Sequence, residues 1–198
     1  EENRSEIGIK DKDYFIFFKQ KISELIYLLS LSEFSYFYVE QITGKTNNLT
    51  SNRRRRVRTT KNYFKSFIAM EPNNKGFKNE EFKIVKLYDK TSDLLLGVIW
   101  SFPCHPTNYF DKKQISAEFP GLIREFIRKQ LNNEVTVIYF PGFAGDVRAV
   151  PPLRANVFRA IRNIFHLSYP VKYYRFINQH EYNDWINLMI CGFWNIWS

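Results

Sequence analysis

The sequence predicts an α/β fold: a mixed sheet that contains a βαβ unit, with flanking helices. Three segments carry that prediction. Leu94-Leu-Leu-Gly-Val-Ile-Trp-Ser-Phe102 is a near-continuous apolar run, which reads as a strand buried on both faces. Phe119, Leu122, Ile123, Phe126 and Ile127 then recur at the spacing of one helical face. Val135-Thr-Val-Ile-Tyr-Phe140 has the β-branched and aromatic content of a short buried strand, and Pro141-Gly-Phe-Ala-Gly-Asp146 closes it.

Each element has its own local reason. Phe15, Phe18, Ile22, Leu25, Ile26 and Leu29 fall on one helical face, so a helix from about Asp13 to Ser30 is expected to pack on the sheet. With lysines at 12, 19 and 21, a helix lying on a membrane is the lesser reading. Ser35 to Val39 reads as a short strand, and the polar stretch Thr43 to Ser51 as a surface loop. Asn52-Arg-Arg-Arg-Arg-Val-Arg58 is, taken alone, a solvated surface or a patch for nucleic acid or anionic lipid.

Lys61 to Asn79 is a variable stretch with no assigned element. Glu81 to Tyr88 alternates roughly, and Asp89-Lys-Thr-Ser-Asp93 supplies turn residues. A hairpin therefore leads into the buried strand, with Phe82 to Tyr88 as an edge strand. Ser116 or Glu118 offers a cap to the next helix, and Pro120 suits its first turn. Pro151 and Pro152 can open a further helix with Leu153, Val157, Ile161, Ile164 and Phe165 on one side. The domain expectation is residues 1–152 as one unit, followed by a helical extension over 153–198.

A parallel crossover would bring the loop after the first buried strand, carrying His105, to the same sheet edge as the loop carrying Gly142, Gly145 and Asp146. Ligands of open α/β sheets bind at such edges. Taken singly, a histidine after a strand is more often structural, and an aspartate after glycine more often serves a turn or a cap.

Four ordered motifs add to this reading: Asn52-Arg53-Arg54, Cys104-His105-Pro106-Thr107, Ile115-Ser-Ala-Glu-Phe-Pro-Gly121 and Phe140-Pro-Gly-Phe-Ala-Gly-Asp-Val147. Together they resemble the N-terminal, zinc-bearing domain of the neutral/alkaline non-lysosomal ceramidase family, up to about Pro152. The resemblance implies a zinc-dependent amidohydrolase that cleaves an N-acyl bond. It implies His105 as a zinc ligand, Arg53 as a substrate or oxyanion contact, and Gly145 with Asp146 beside the metal, Asp146 orienting water. A catalytic zinc keeps an open position and lowers the pKa of its bound water to about 7.

The family's other ligands have no matching motif. Its first zinc histidine lies upstream of the first helix, and Glu1 to Lys10 hold no histidine; Glu181 and Tyr182 match no ligand motif. Gly-Asp-Val is followed by Arg148-Ala-Val-Pro151, as in looser relatives, where the ceramidases proper have Ser-Pro-Asn. A partial chain, inactive by itself, is the expectation. Its partners would be a lipid amide or other N-acyl substrate and an anionic membrane surface. The resemblance suggests a secreted, periplasmic or membrane-surface location.

Composition sets the remaining bounds. At 198 residues the chain can bury one sizeable core, and 18% aromatic content argues against disorder throughout. Lys plus Arg number 29 against 20 Asp plus Glu, a net charge of +9 that attracts anionic partners without identifying one. The two cysteines, Cys104 and Cys191, are too few for a disulfide framework, and Cys104 reads as a buried neighbour of His105. No apolar stretch reaches the ~20 residues of a membrane span.

Two other function classes are weighed. A noncatalytic basic module would bind nucleic acid or anionic membrane through Arg53 to Arg58 and Arg154 to Arg162. No helix-turn-helix, zinc-finger or RNA-recognition signature accompanies those arginines, so nucleic acid is not the expected partner. A serine or cysteine hydrolase lacks a Gly-x-Ser-x-Gly elbow, and adjacent residues such as Cys104 and His105 rarely form a nucleophile and base.

Overall fold

A computed structural model describes residues 11–59, 62–111, 113–131, 135–150 and 178–198. The expected helix over 153–165 and the arginines 154–162 lie outside the described residues. The chain divides into two units, Glu1–Tyr36 and Phe37–Ser198.

The first unit contains helix α1, Lys12–Ser30, capped by the Asp11 carboxylate, which accepts from the Tyr14 N–H at 2.9 Å. The helix forms where its periodicity predicts. Within this unit no residue of α1 is buried. Periodicity makes an apolar face and does not name what covers it.

The second unit is α/β. Its larger sheet runs in the order β1 (Phe37–Lys45), β4 (Glu81–Asp89), β5 (Leu95–Ser101), β6 (Thr136–Phe140). The first two pairings are antiparallel. The β5–β6 pairing is parallel, with helix α2 (Glu118–Gln130) between the two strands in sequence. The βαβ unit is therefore present. A smaller antiparallel sheet is ordered β3 (Asn62–Asn73), β2 (Thr50–Thr59), β7 (Val147–Ala149). Helix α3 (Gln179–Trp197) starts with a capping box formed by Asn178 and Glu181.

The core lies on one face of the larger sheet. Ile84 stands opposite Trp100 across β4 and β5, and both are fully buried. Phe119, Ile123 and Ile127 of α2 and Trp185, Met189 and Phe193 of α3 fill the other half of that layer. Trp185 stands edge-on to Phe119 at 5.4 Å between centroids and donates its Nε1–H to the Leu49 carbonyl at 2.9 Å. Lys86, almost buried, reaches the Trp197 ring at 4.3 Å and the Glu40 carboxylate at 3.3 Å.

Several expectations are corrected. β5 is buried mainly on its core side, with Leu96 42% exposed, because the helices cover one face of the sheet. Phe82 to Tyr88 is an inner strand between β1 and β5, and the edges are β1 and β6. β1 runs on to Lys45, so the loop after it is shorter than Thr43 to Ser51. The arginine run is strand β2, and most of the unassigned 61–79 stretch is its partner β3. Pairing with each other, and of β2 with the distant β7, makes these strands despite their poor local signal. The described part of the 153–198 stretch, residues 178–198, contains α3.

Ala117 rather than Ser116 or Glu118 occupies the cap position of α2. The Ser116 hydroxyl still accepts from the Glu118 N–H at 3.0 Å. Glu118 itself is buried at φ 55°, where its carboxylate accepts from the Tyr109 N–H and from the Tyr182 hydroxyl. Within the described residues, no helix is long and apolar enough to cross a membrane.

Candidate functional site

The two sheets meet where the chain leaves β5. Tyr139 of β6 donates its hydroxyl to the Phe102 carbonyl at 2.8 Å, which fixes the turn into Cys104. His105 then forms an isolated parallel bridge with Arg148, its N–H donating to the Val147 carbonyl at 3.2 Å. Asn108, a buried residue, locks this arrangement from below. Its amide donates to the His105 carbonyl at 3.1 Å while its oxygen accepts from Arg148 Nε at 3.0 Å. The loop carrying His105 and the loop carrying Gly145 and Asp146 thus share one rim.

Arg53 arrives at that rim from β2. The β2–β3 register shifts by one residue between Asn52 and Arg54, so Arg53 sits at an irregularity in the ladder, the kind of place where a side chain can be re-aimed. Its N–H donates to the Asp146 carbonyl at 2.7 Å. Its guanidinium Nη2 donates to the Gly145 carbonyl at 2.9 Å and lies 3.1 Å from His105 Nε2. Since a guanidinium has no acceptor, that contact makes Nε2 the acceptor and puts the ring proton on Nδ1. Among the described residues the buried Arg53 Nε has no hydrogen-bond partner, and none of the described ion pairs involves Arg53.

Among the described ion pairs none joins the Asp146 carboxylate to the Arg53 guanidinium. Asp146 Oδ2 accepts from the Asn52 side-chain amide at 2.6 Å, and the same amide donates to the Phe77 carbonyl at 2.8 Å. Asn52 Oδ1 accepts from the Arg54 N–H at 2.8 Å. Asn52 is buried, so each of these bonds replaces water that cannot reach it. Gly76 permits the close approach, because a Cβ there would lie 2.7 Å from Asn52 Cβ and Cγ.

All four residues singled out from the sequence, Arg53, His105, Gly145 and Asp146, come together here. Sequence reasoning gave no role to Asn52, Asn108 or Arg148. Asn52 stood in the matched Asn-Arg motif and could have been noticed there. Asn108 carried no local signal, since only the fold shows that it bridges two loops.

The zinc implied by the resemblance can be tested against these donors. Its one expected ligand in this chain, His105, has Nε2 taken up by a cationic guanidinium 3.1 Å away. Among the described residues no group of three or more His, Cys, Asp or Glu side chains converges to hold a metal. Cys104 is fully buried, and burial pushes its thiol up, away from the thiolate that a metal takes. The donor set in place does not fit a catalytic zinc, which takes three protein ligands.

No protein-family model matches the chain, and no curated protein matches it. Among solved structures it is similar to a ceramidase complexed with C2, with a TM-score of 0.49 and 13% identity over 82% of this chain. The match spans 22% of the length of that ceramidase chain.

Proposed function

We propose that the Asn52, Arg53, His105 and Asp146 cluster is the polar end of a substrate site in a ceramidase-like amidohydrolase acting on linear N-acyl amides. One observation carries this reading. Residues 52 to 94 positions apart in the chain, drawn from three of the four matched motifs, lie within single hydrogen bonds of one another at one rim. A purely structural role for each motif would not require them to share a rim.

Arg53 has a donor to spare in its buried Nε, and a turn of the guanidinium would be needed to bring its donors to a carbonyl oxygen whose negative charge grows as the amide is attacked. Moving the guanidinium toward that oxygen would release His105 Nε2 as an acceptor for a proton from water or as its carrier to the leaving amine. Asp146, held on one oxygen by Asn52, is in place to orient that water with the other.

The test follows the protein expressed from its gene, titrated with a short-chain, water-soluble N-acyl amide. The amide should move the His105 ring resonances, and Arg53→Ala should weaken that response by about tenfold or more. Where hydrolysis is measurable, Arg53→Ala should reduce it ~100-fold. Ring signals unmoved at saturating amide, or equal turnover in wild type, Arg53→Ala and His105→Ala, would refute the assignment.

A further inference from the structure

Three of the four matched motifs meet at the rim, and the fourth, Ile115 to Gly121, leaves its glutamate without a part in the proposed chemistry. Glu118 is nevertheless held firmly. It is only 7% exposed, and its backbone stands at φ 55°, a region that suits glycine and that other residues keep only where their surroundings hold them. The carboxylate does the holding. Its Oε1 accepts from the Tyr109 N–H and its Oε2 from the Tyr182 hydroxyl at 3.3 Å. Tyr182 of α3 is fully buried and stands edge-on to Tyr109, with 5.6 Å between ring centroids.

The Tyr109 N–H belongs to the peptide that joins Tyr109 to Asn108. Fixing that peptide fixes the backbone from which the Asn108 side chain leaves. Asn108 in turn donates to the His105 carbonyl at 3.1 Å and accepts from Arg148 Nε at 3.0 Å, and His105 and Arg148 are the two members of the isolated bridge. A line of contacts thus runs from Tyr182 through Glu118, Tyr109 and Asn108 to the histidine whose Nε2 lies 3.1 Å from Arg53 Nη2. We infer that Glu118 is a positioning residue for His105: it fixes the loop that keeps the imidazole facing Arg53. Glu118 bonds to Tyr109 and Tyr182 and acts on the rim through Asn108. That this direction matters for turnover rests on the amidohydrolase reading; that Glu118 sets it does not.

The test reads the ring nitrogen-15 resonances of His105 in the full chain, assigned by their loss in His105→Ala, at about pH 8, where a free imidazole is neutral. In the wild type the proton held on Nδ1 separates the two ring nitrogens in shift. Glu118→Gly removes the carboxylate and relieves the positive φ, so the fold is retained while the tie is lost. The ring should then sample both tautomers and the separation should shrink. For a soluble N-acyl amide, kcat should fall about tenfold or more with KM within about twofold of wild type. Glu118→Gln should restore both readouts, since its amide oxygen can accept from the Tyr109 N–H and its NH2 can donate to the Tyr182 hydroxyl. Ile123→Val, a core change in α2, should lower the melting temperature and leave the ring shifts alone.

Ring shifts unmoved in folded Glu118→Gly would overturn the inference. So would their movement in Ile123→Val, or a Glu118→Gln as damaging as Glu118→Gly. Should Glu118→Gly not fold, Tyr182→Phe, which takes away the Oε2 bond alone, must move the ring shifts in the same direction, and no movement there would overturn it as well. Moved ring shifts with no hydrolysis in any variant, wild type included, would sustain Glu118 as the positioning residue and remove the hydrolase reading. Hydrolysis by the wild type with kcat unchanged in Glu118→Gly would do the reverse.

Discussion

Asn52 is the side chain on which the rim depends most, and its replacement can be worked through from the structure. Asn52→Ala removes a bond to a carboxylate, one to the Phe77 carbonyl and one from the Arg54 N–H. A bond to a charged group contributes about 1.5–3 kcal/mol and each neutral one about 0.5–1.5 kcal/mol. Asp146 is half-buried and Phe77 exposed, so water restores part of this loss. A destabilisation of about 2–4 kcal/mol is expected. Asn52→Asp keeps the shape and the Arg54 bond but sets a second carboxylate 2.6 Å from Asp146 Oδ2.

The sign of the pH effect in Asn52→Asp follows from that contact. In the folded variant the introduced carboxyl is protonated more readily than in the unfolded chain, because like charges that close cannot both ionise. A folded state that binds more protons loses stability as pH rises and regains it as pH falls. The Asn52→Asp deficit relative to wild type should therefore shrink between about pH 7 and about pH 5, while that of Asn52→Ala should not. Urea unfolding followed by tryptophan fluorescence reads both. An Asn52→Ala change under ~0.5 kcal/mol, or an Asn52→Asp deficit indifferent to pH, would refute the role assigned to this residue.

Two further outcomes are expected. Burial pushes the Cys104 thiol and the Tyr139 and Tyr182 hydroxyls up, Tyr182 being helped by the Glu118 carboxylate beside it. The stabilisation from these groups is complete below the pKa values of the unfolded chain, ~8.5 for the thiol and ~10 for the phenols, and is lost as pH rises through and beyond them. Thermal melts should accordingly drop steeply in alkali, and phenol ionisation should appear together with unfolding; tyrosines ionising in the folded protein would contradict this. Trp185→Phe, which removes one of the two donors to the Leu49 carbonyl and leaves the Val150 N–H at 2.9 Å, should cost about 0.5–1.5 kcal/mol in stability to urea, and a change near zero would show that bond to be dispensable.

The elements that were legible in the sequence are those whose local pattern and tertiary fate agree. β5, α2 and β6 carry apolar content that is useful only in a βαβ unit, and the parallel pairing of Gly97 with Thr136 through Ser101 with Phe140 is the result. The rim was legible for the same reason, since a parallel crossover fixes which loops leave together. β2 and β3 were not. A run of arginines has no strand preference of its own and becomes a strand because β3 pairs along one side of it, Arg54 to Arg58 with Ser66 to Met70, and the distant β7 along the other, Thr50 to Asn52 with Val147 to Ala149.

The sequence alone determined the α/β class, the periodic face of α1 and the two loops that leave one sheet edge, because these follow from spacing along the chain. Only the tertiary structure decided which side chains meet there. Arg53 faces His105 while Asp146 turns to Asn52, because the irregular β2–β3 register and the buried amides of Asn52 and Asn108 fix those directions. Hydrogen-bond partners across tens of residues depend on distances that no local pattern encodes. For that reason the contact between Arg53 Nη2 and His105 Nε2, 3.1 Å in the folded chain, has no counterpart in the local pattern of either segment.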